Sequence, residues 1–508
     1  MNRREFIRVT LPAGLRSFLG CFLGVVALQG VQASKPNVLF IMADDLNCAV
    51  SGYGHPECRT PNLDRLAKTG VRFTRAFCQF PLCGPSRASL MTGQYPVANG
   101  VTGNGGQVDP DRVTLPRHFA NHGYWTARVS KIYHMGIPGD IIEGNAGRDH
   151  QASWGESYNL SALETLTPGK VENVTEPESP AVYPRERAKW RAAKQDGGTY
   201  DMPKAVRGDY AVVEVADHLT DLLPDTMAAD RAIELMRERA DQTDPFFLAI
   251  GFVRPHFPFV STASAIRPYD ADRTAVPKVP ADDHLDMPPQ AQEKLLGFED
   301  DATRRLRRGY YGAIGFMDQQ LGRLLDELDR LELREKTVVV FVSDHGYLLG
   351  EHKMWKKARL WEEAIRVPLI ISAPGMKQGA SCEHTVELLD LYPTLTALAN
   401  LPAEPGVQGQ SLVPLLRDSE ATLSRRDALI QVRGGFALRE NKWAYMWYPA
   451  SGKHAQDGEM LYNLTSDPHQ HSNLAANPSF AQVRNRFHTQ LAHRLAKARG
   501  VMEPTAEN

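Results

Sequence analysis

Cysteine is scarce in this chain, with six in 508 residues. Cys21 lies in an N-terminal apolar run, which leaves Cys48, Cys58, Cys78, Cys83 and Cys382. The nearest two, Cys78 and Cys83, are five apart, so there is no C-x-x-C pair, and no second cluster completes a zinc site. One or two disulfides are open to such a set in an oxidising compartment, but an odd number leaves at least one thiol over. An excess of either charge is also lacking: 58 Lys and Arg face 60 Asp and Glu, for a net charge of -2. That excludes a global basic field and, with it, steering to nucleic acid or an anionic membrane. Beyond the first 31 residues no run approaches the roughly 20 apolar residues that span a bilayer. The mature chain is therefore expected to have no membrane span. No internal repeat is present.

What is there reads as a folded protein with a core, 42% hydrophobic and 23% charged. The length suggests two or three units. At the N-terminus, Arg3-Arg4 precedes Glu5-Phe6-Ile7, an apolar run from Ser17 to Val31, and the small-residue cleavage signal Val31-Gln32-Ala33. Residues 1–33 read as an export signal; the paired arginines resemble the twin-arginine type, with an ordinary secretory signal as the alternative. The chain is thus expected in the periplasm or outside the cell.

Three short apolar runs each end in polar residues. The run from Pro36 ends at Asp44-Asp45, that from Pro245 near Arg254-Pro255-His256, and that from Thr337 at Asp344-His345-Gly346. Such runs predict buried parallel strands. Between them, Ile314, Met317, Leu321, Leu324, Leu325 and Leu328 recur at helical spacing within 309–330. Alternating strands and helices predict an α/β fold: a central, mostly parallel sheet sandwiched by helices, with ligands bound outside the carboxyl ends of the strands. Residues 34–416 read as the catalytic domain. Residues 149–209 read as an insertion over the sheet edge, carrying the basic run Arg185, Arg187, Lys189, Arg191 and Lys194. From 417 to 508, strand candidates at 428–432 and 443–448 and a helix over 480–499 predict a smaller C-terminal α+β subdomain.

Two adjacent carboxylates at a strand end repel each other unless a cation or hydrogen bonds compensate. Asp44 and Asp45 therefore read either as a solvated turn or helix cap, or as oxygen ligands for Ca²⁺ or Mg²⁺. Asp344-His345 at a second strand end makes a shared divalent site the fuller reading. Cys83, taken alone, is either a buried thiol or a reactive one at a helix start. Its context decides: Cys83-Gly84-Pro85-Ser86-Arg87-Ala88-Ser89-Leu90-Met91-Thr92-Gly93 resembles the sulfatase signature C-x-P-S-R-x-x-x-x-T-G throughout.

The resemblance implies that a separate formylglycine-installing enzyme oxidises Cys83 to formylglycine, whose hydrate is a geminal diol. One hydroxyl attacks sulfur to give a covalent sulfo-enzyme intermediate; the second loses its proton, collapses to the aldehyde and ejects sulfate. Serine has no such second hydroxyl. Arg87, always charged and fork-shaped, suits holding the surrounding geometry. Residues 123–134, from Gly123-Tyr124 to Lys131 and His134, resemble the family's second signature, G-Y-x-T-x-x-x-G-K-x-x-H, with Ser130 in place of its glycine. Lys131 would then bind a sulfate oxygen and His134 would take the proton from the second hydroxyl. On the same footing His256 is a candidate donor to the leaving oxygen, and Lys357 is the second sulfate-binding lysine, with Lys356 as the fallback. His256 alone reads as a structural histidine packed among Pro and Phe, and only within the full set as the donor.

Asp344 followed by His345, the segment Arg254-Pro255-His256-Phe257-Pro258-Phe259, and Leu223-Pro224-Asp225-Thr226 look most like the iduronate-2-sulfatase branch. That resemblance spans nearly all of Lys35 to Pro478 and implies one Ca²⁺ held by Asp44, Asp45, Asp344, His345 and the modified Cys83. The expected activity is hydrolysis of sulfate monoesters on a sulfated carbohydrate. Alternatives are a phosphodiesterase or phosphonate monoester hydrolase of the alkaline phosphatase superfamily, and a non-catalytic sulfoglycan-binding protein. The basic run around Trp190 reads as a grip on acidic sugars or as a solvated helix face. Arg304, Arg305, Arg307 and Arg308 read as a solvated face.

Overall fold

In the strand Asn37–Asp44, every residue after the first is buried, and the side chains alternate between two cores. Val38, Phe40 and Met42 enter one and Leu39, Ile41 and Ala43 the other. This is the two-residue period of a strand covered on both faces. The computed structural model describes residues 35–500 apart from 176–178, 202, 204, 205, 207, 293–296 and 453. The export-signal reading of residues 1–33 lies outside the described residues.

Around that strand the described residues build a nine-stranded sheet. Thr337–Ser343 lies parallel on one side, with Val38 opposite Val338, and Phe246–Pro255 lies parallel on the other, with Val38 opposite Phe247. Trp125–Ser130 and then Glu156–Tyr158 extend it in the same direction. Beyond Thr337–Ser343, Arg366–Ser372 runs antiparallel, followed by Val71–Phe77 and its parallel neighbours Ala380–Cys382 and Val386–Glu387. The sheet is mostly parallel, as the apolar runs predict. Consequently Asp44, Ser130, Pro255 and Ser343 all end at one edge.

One face is covered by the helices Pro61–Lys68, Pro224–Arg239 and Asp300–Arg330, through residues such as Leu66, Ala228, Ile314 and Leu321. The other is covered by Cys83–Thr92, Leu115–Asn121 and Leu391–Leu398, through Leu90, Met91, Phe119 and Leu395. The helix Asp300–Arg330 begins nine residues before its apolar repeat. Asp300 and Asp301 occupy its positive first turn and pair with Arg304 at 3.7 Å and Arg305 at 3.0 Å. The solvated reading fails for Arg307: it is buried and donates to Leu349 O at 3.2 Å and Glu351 Oε1 at 3.0 Å.

Within 149–209, Gly169–Asn173 joins Ala211–Val215 and Phe259–Thr262 in a small sheet, and Tyr183–Gln195 is a helix. Four residues of its basic run, Arg185, Arg187, Lys189 and Lys194, have partners within the fold. Lys189 meets Glu186 at 2.8 Å, Lys194 meets Glu143 at 2.7 Å, and Trp190 packs against the cluster around Ile142 and Leu163. Near the C-terminus, Ala428–Val432, Gly435–Arg439, Trp443–Tyr448 and Gly458–Asn463 form an antiparallel sheet. The helix Ala481–Ala498 packs on it through Phe487, Leu491 and Leu495.

Candidate active site

Four strand ends and one helix start meet at the carboxyl edge of the large sheet. Cys83 opens the helix Cys83–Thr92, whose N-terminal dipole favours negative charge. Gly93, at φ 64°, closes that helix in the left-handed conformation that glycine adopts without strain. Gly251 allows the neighbouring strand to pass Lys131, since a Cβ there would lie 2.0 Å from Lys131 O.

The nucleophile candidate is surrounded. Lys357 Nζ lies 3.2 Å and His345 Nε2 3.3 Å from Cys83 Sγ, and His134 hydrogen-bonds the same side chain. Lys131 Nζ contacts Asp44 Oδ2, and Lys357 Nζ contacts Asp45 Oδ1. Arg87 donates through Nε to Asp344 Oδ2 at 2.7 Å, lies 3.4 Å from Asp44 Oδ1, and donates to Ile132 O at 3.1 Å. Asp344 Oδ1 also accepts from the Asp45 and His345 amides at 3.1 and 2.9 Å. His256 Nε2 stands 3.8 Å from Asp45 Oδ2. Asp44, Asp45, Cys83, Arg87, Lys131, His256, Asp344 and His345 are buried, while His134 and Lys357 are partly open.

Burial alone would raise the Cys83 thiol. The ammoniums of Lys131 and Lys357, then His345 and the His134 hydrogen bond, overcome it and hold the thiol well below its ordinary value. The other described cysteines behave oppositely: burial pushes Cys48 up to about 11 and Cys58 up to about 12, and raises Cys78 and Cys382. No disulfide joins any described cysteine. Burial lowers His134 from the ordinary imidazole value, more than its hydrogen bond to Cys83 restores it. Its ring is therefore neutral at neutral pH.

The carboxylates among these donors suit a hard divalent cation. One ligand atom from each of Asp44, Cys83, Asp344 and His345 lies within 4.8 Å of the others, and the same holds for Asp44, Asp45, Cys83 and His256. Asp44 Oδ1 and Asp45 Oδ2 are buried oxygens without a hydrogen-bond partner. Buried anionic oxygens in that condition are costly unless a cation compensates them.

All ten residues singled out in the sequence therefore meet at one place. The fallback Lys356 points elsewhere, to Asp209 at 2.8 Å. Residues that signature reading passed over form the support. Arg254 is buried, donates to His256 O at 2.8 Å and pairs with buried Glu164. Asp225 accepts from the Val253 and Arg254 amides at 2.7 and 3.0 Å. Asn104 Oδ1 accepts from Gly84 N at 2.9 Å, and Tyr310 donates to Asp45 O at 2.7 Å. Glu164 carried no signal, because nothing in its neighbourhood predicts a partner ninety residues away. Asp225 and Arg254 lay in the segments that resemble the iduronate-2-sulfatase branch, but without an assigned role.

Comparison with known proteins gives this geometry a class and then a family. A solved phosphonate monoester hydrolase of Agrobacterium radiobacter has the same fold, with a TM-score of 0.71 at 24% identity over 91% of this chain and 96% of that one. The fold is alkaline phosphatase/sulfatase-like, a mixed α/β sheet between helices with a separate small C-terminal sheet. Residues 36–401 match the Sulfatase family, and residues 350–497 match the C-terminal region described as N-sulphoglucosamine sulphohydrolase, C-terminal. The chain belongs to the sulfatase family, whose members are sulfuric ester hydrolases. It is 30% identical to choline-sulfatase of Rhizobium meliloti, over 88% of this chain and 84% of that protein. It is also 30% identical to iduronate 2-sulfatase of Mus musculus, over 75% and 71% respectively.

Proposed function

We propose that this protein hydrolyses sulfate monoesters on a carbohydrate, with residue 83 as the nucleophile after conversion of its thiol to formylglycine. The observation that carries the reading is the surrounding of Cys83 by His134, His345 and Lys357, over a pair of buried acids with unpartnered oxygens. Formylglycine would supply a geminal diol, one hydroxyl to attack sulfur and a second to release sulfate. A hard cation, Ca²⁺ by resemblance to the family, would be held by Asp44, Asp45, Asp344, His345 and residue 83, and would polarise the sulfate oxygens.

The chain's own residues then have distinct tasks. Arg87 holds Asp44 and Asp344 in fixed orientation through its planar fork. Lys131 and Lys357 bring two ammonium groups to the nucleophile, where negative charge on a sulfate is stabilised. His134, neutral and in contact with residue 83, takes a proton at its ring nitrogen. His256, oriented by Arg254 through its backbone carbonyl, donates to the leaving oxygen.

Beside His134 a cavity of about 590 Å³ is lined by polar residues including Asn104, Asp140, Asn145 and Arg148. Its size and hydrogen-bonding lining suit a sugar ring. The twin-arginine-like start supports export, and maturation requires a formylglycine-installing enzyme as partner. A screen of defined sulfated mono- and oligosaccharides, with choline sulfate alongside, tests the substrate class. Release of sulfate from a sugar is expected; hydrolysis of choline sulfate alone would overturn the carbohydrate reading.

A further inference from the structure

Away from the nucleophile, Asp283, His352 and His471 converge from three separate segments, with one ligand atom of each within 4.8 Å of the others. We propose that they form a second metal site, for Zn²⁺ or a divalent transition-metal ion of the same class, which clamps the C-terminal subdomain to the loop that carries Lys357. Two imidazoles and one carboxylate, with the remaining position left to water, are a zinc-type donor set. Ca²⁺ would find too few oxygens.

The site is built in advance. Asp283 and His352 are buried, their side chains 3% and 1% exposed, and Asp283 Oδ1 has no hydrogen-bond partner. The His352 ring is fixed by stacking on Trp361, with centroids 3.8 Å apart and planes 19° from parallel. His352 Nδ1 already lies 3.0 Å from Asp283 Oδ2. The loop bearing His471 is held by Asp467 Oδ1, which accepts from His471 N at 3.0 Å. Asn473 ties that loop to the turn after Asp283, donating to Asp286 Oδ2 at 2.7 Å and Asp286 O at 2.9 Å. A cavity of about 500 Å³, lined by Pro277, Glu351, His352, His469 and His471 among others, opens onto the cluster and gives an ion a path in.

The test uses the full chain carrying Cys83→Ala, so that the active-site cluster offers no thiolate, in excess Ca²⁺ to compete for its oxygens. After chelator treatment the protein is titrated with Zn²⁺ by calorimetry, and retained metal is counted after gel filtration. One equivalent is expected. His471→Ala, at a partly exposed position that leaves the core intact, should weaken Zn²⁺ binding roughly tenfold or more and abolish the rise in melting temperature that Zn²⁺ gives the parent. Asp283→Asn should weaken binding likewise. No retained zinc, or equal uptake by the parent and His471→Ala, would overturn the site and leave Asp283 and His352 as a hydrogen-bonded pair only.

Discussion

Lys357 reaches Cys83 and Asp45 with one ammonium group, 3.2 Å from the sulfur and in contact with the carboxylate. It thus joins the nucleophile position to the acid pair, across 274 residues of chain. Lys357→Ala should remove a charge that stabilises developing negative charge at sulfate, lowering kcat by about 10²–10³-fold. Lys356→Ala, which loses the contact with Asp209 and the packing of the ammonium over Tyr210 and Phe257, should cost far less. Steady-state kinetics of both variants checks this; equal losses would contradict the assignment.

Among the described residues Arg87 is the one cation that touches both Asp44 and Asp344, and all three side chains are buried. Its removal strips Asp344 of its nearest cation and leaves Asp44 with Lys131 alone, so Arg87→Ala should destabilise the apoprotein by about 3–5 kcal/mol. Urea unfolding without added cation measures it. A change within about 0.5 kcal/mol, the size expected of an ordinary surface substitution, would contradict the pairing.

How much of this was legible in the sequence depends on range. The parallel strands announced themselves as apolar runs ending in acids, and the resemblance supplied ten residues that the fold brings together. The supporting pairs did not show, because Glu164 with Arg254 and Asp225 with the Val253 and Arg254 amides are contacts between distant segments. Arg307 misled for the same reason: a charge at a helix start looks solvated until Glu351 arrives from another loop. Signatures mark the groups that do chemistry, whereas the groups that position them are fixed only by packing.

Ser130 is a case where the departure from the family's glycine acquires a physical meaning. Its φ is 61°, in the left-handed region, and its Oγ is buried without a hydrogen-bond partner. A left-handed non-glycine residue costs about 1–3 kcal/mol, and glycine returns about 0.5–1 kcal/mol through the unfolded chain. Ser130→Gly should therefore stabilise the protein by about 1 kcal/mol with turnover retained, as read by denaturant unfolding and kinetics. Destabilisation would show that the serine contributes something its geometry does not reveal.

On the proposed role of His134 as base, this residue sets the pH dependence. Its active form is neutral, and its imidazole lies below the ordinary 6.5, so protonation removes the base only as pH falls through that lowered value. The acid limb of kcat should lie below pH 6.5, with activity retained at neutral pH. His134→Gln should reduce turnover by about 10²–10⁴-fold and abolish that limb. An unchanged limb in the variant would assign it to another group.

The central claim, that residue 83 acts only after its conversion to formylglycine, is tested by plotting turnover of nitrophenyl sulfate against the fraction of chains bearing the aldehyde. That fraction is read by mass spectrometry of the peptide that contains residue 83. A proportional rise from zero is predicted, with none in Cys83→Ala. Full turnover by chains that retain the unmodified cysteine would contradict it.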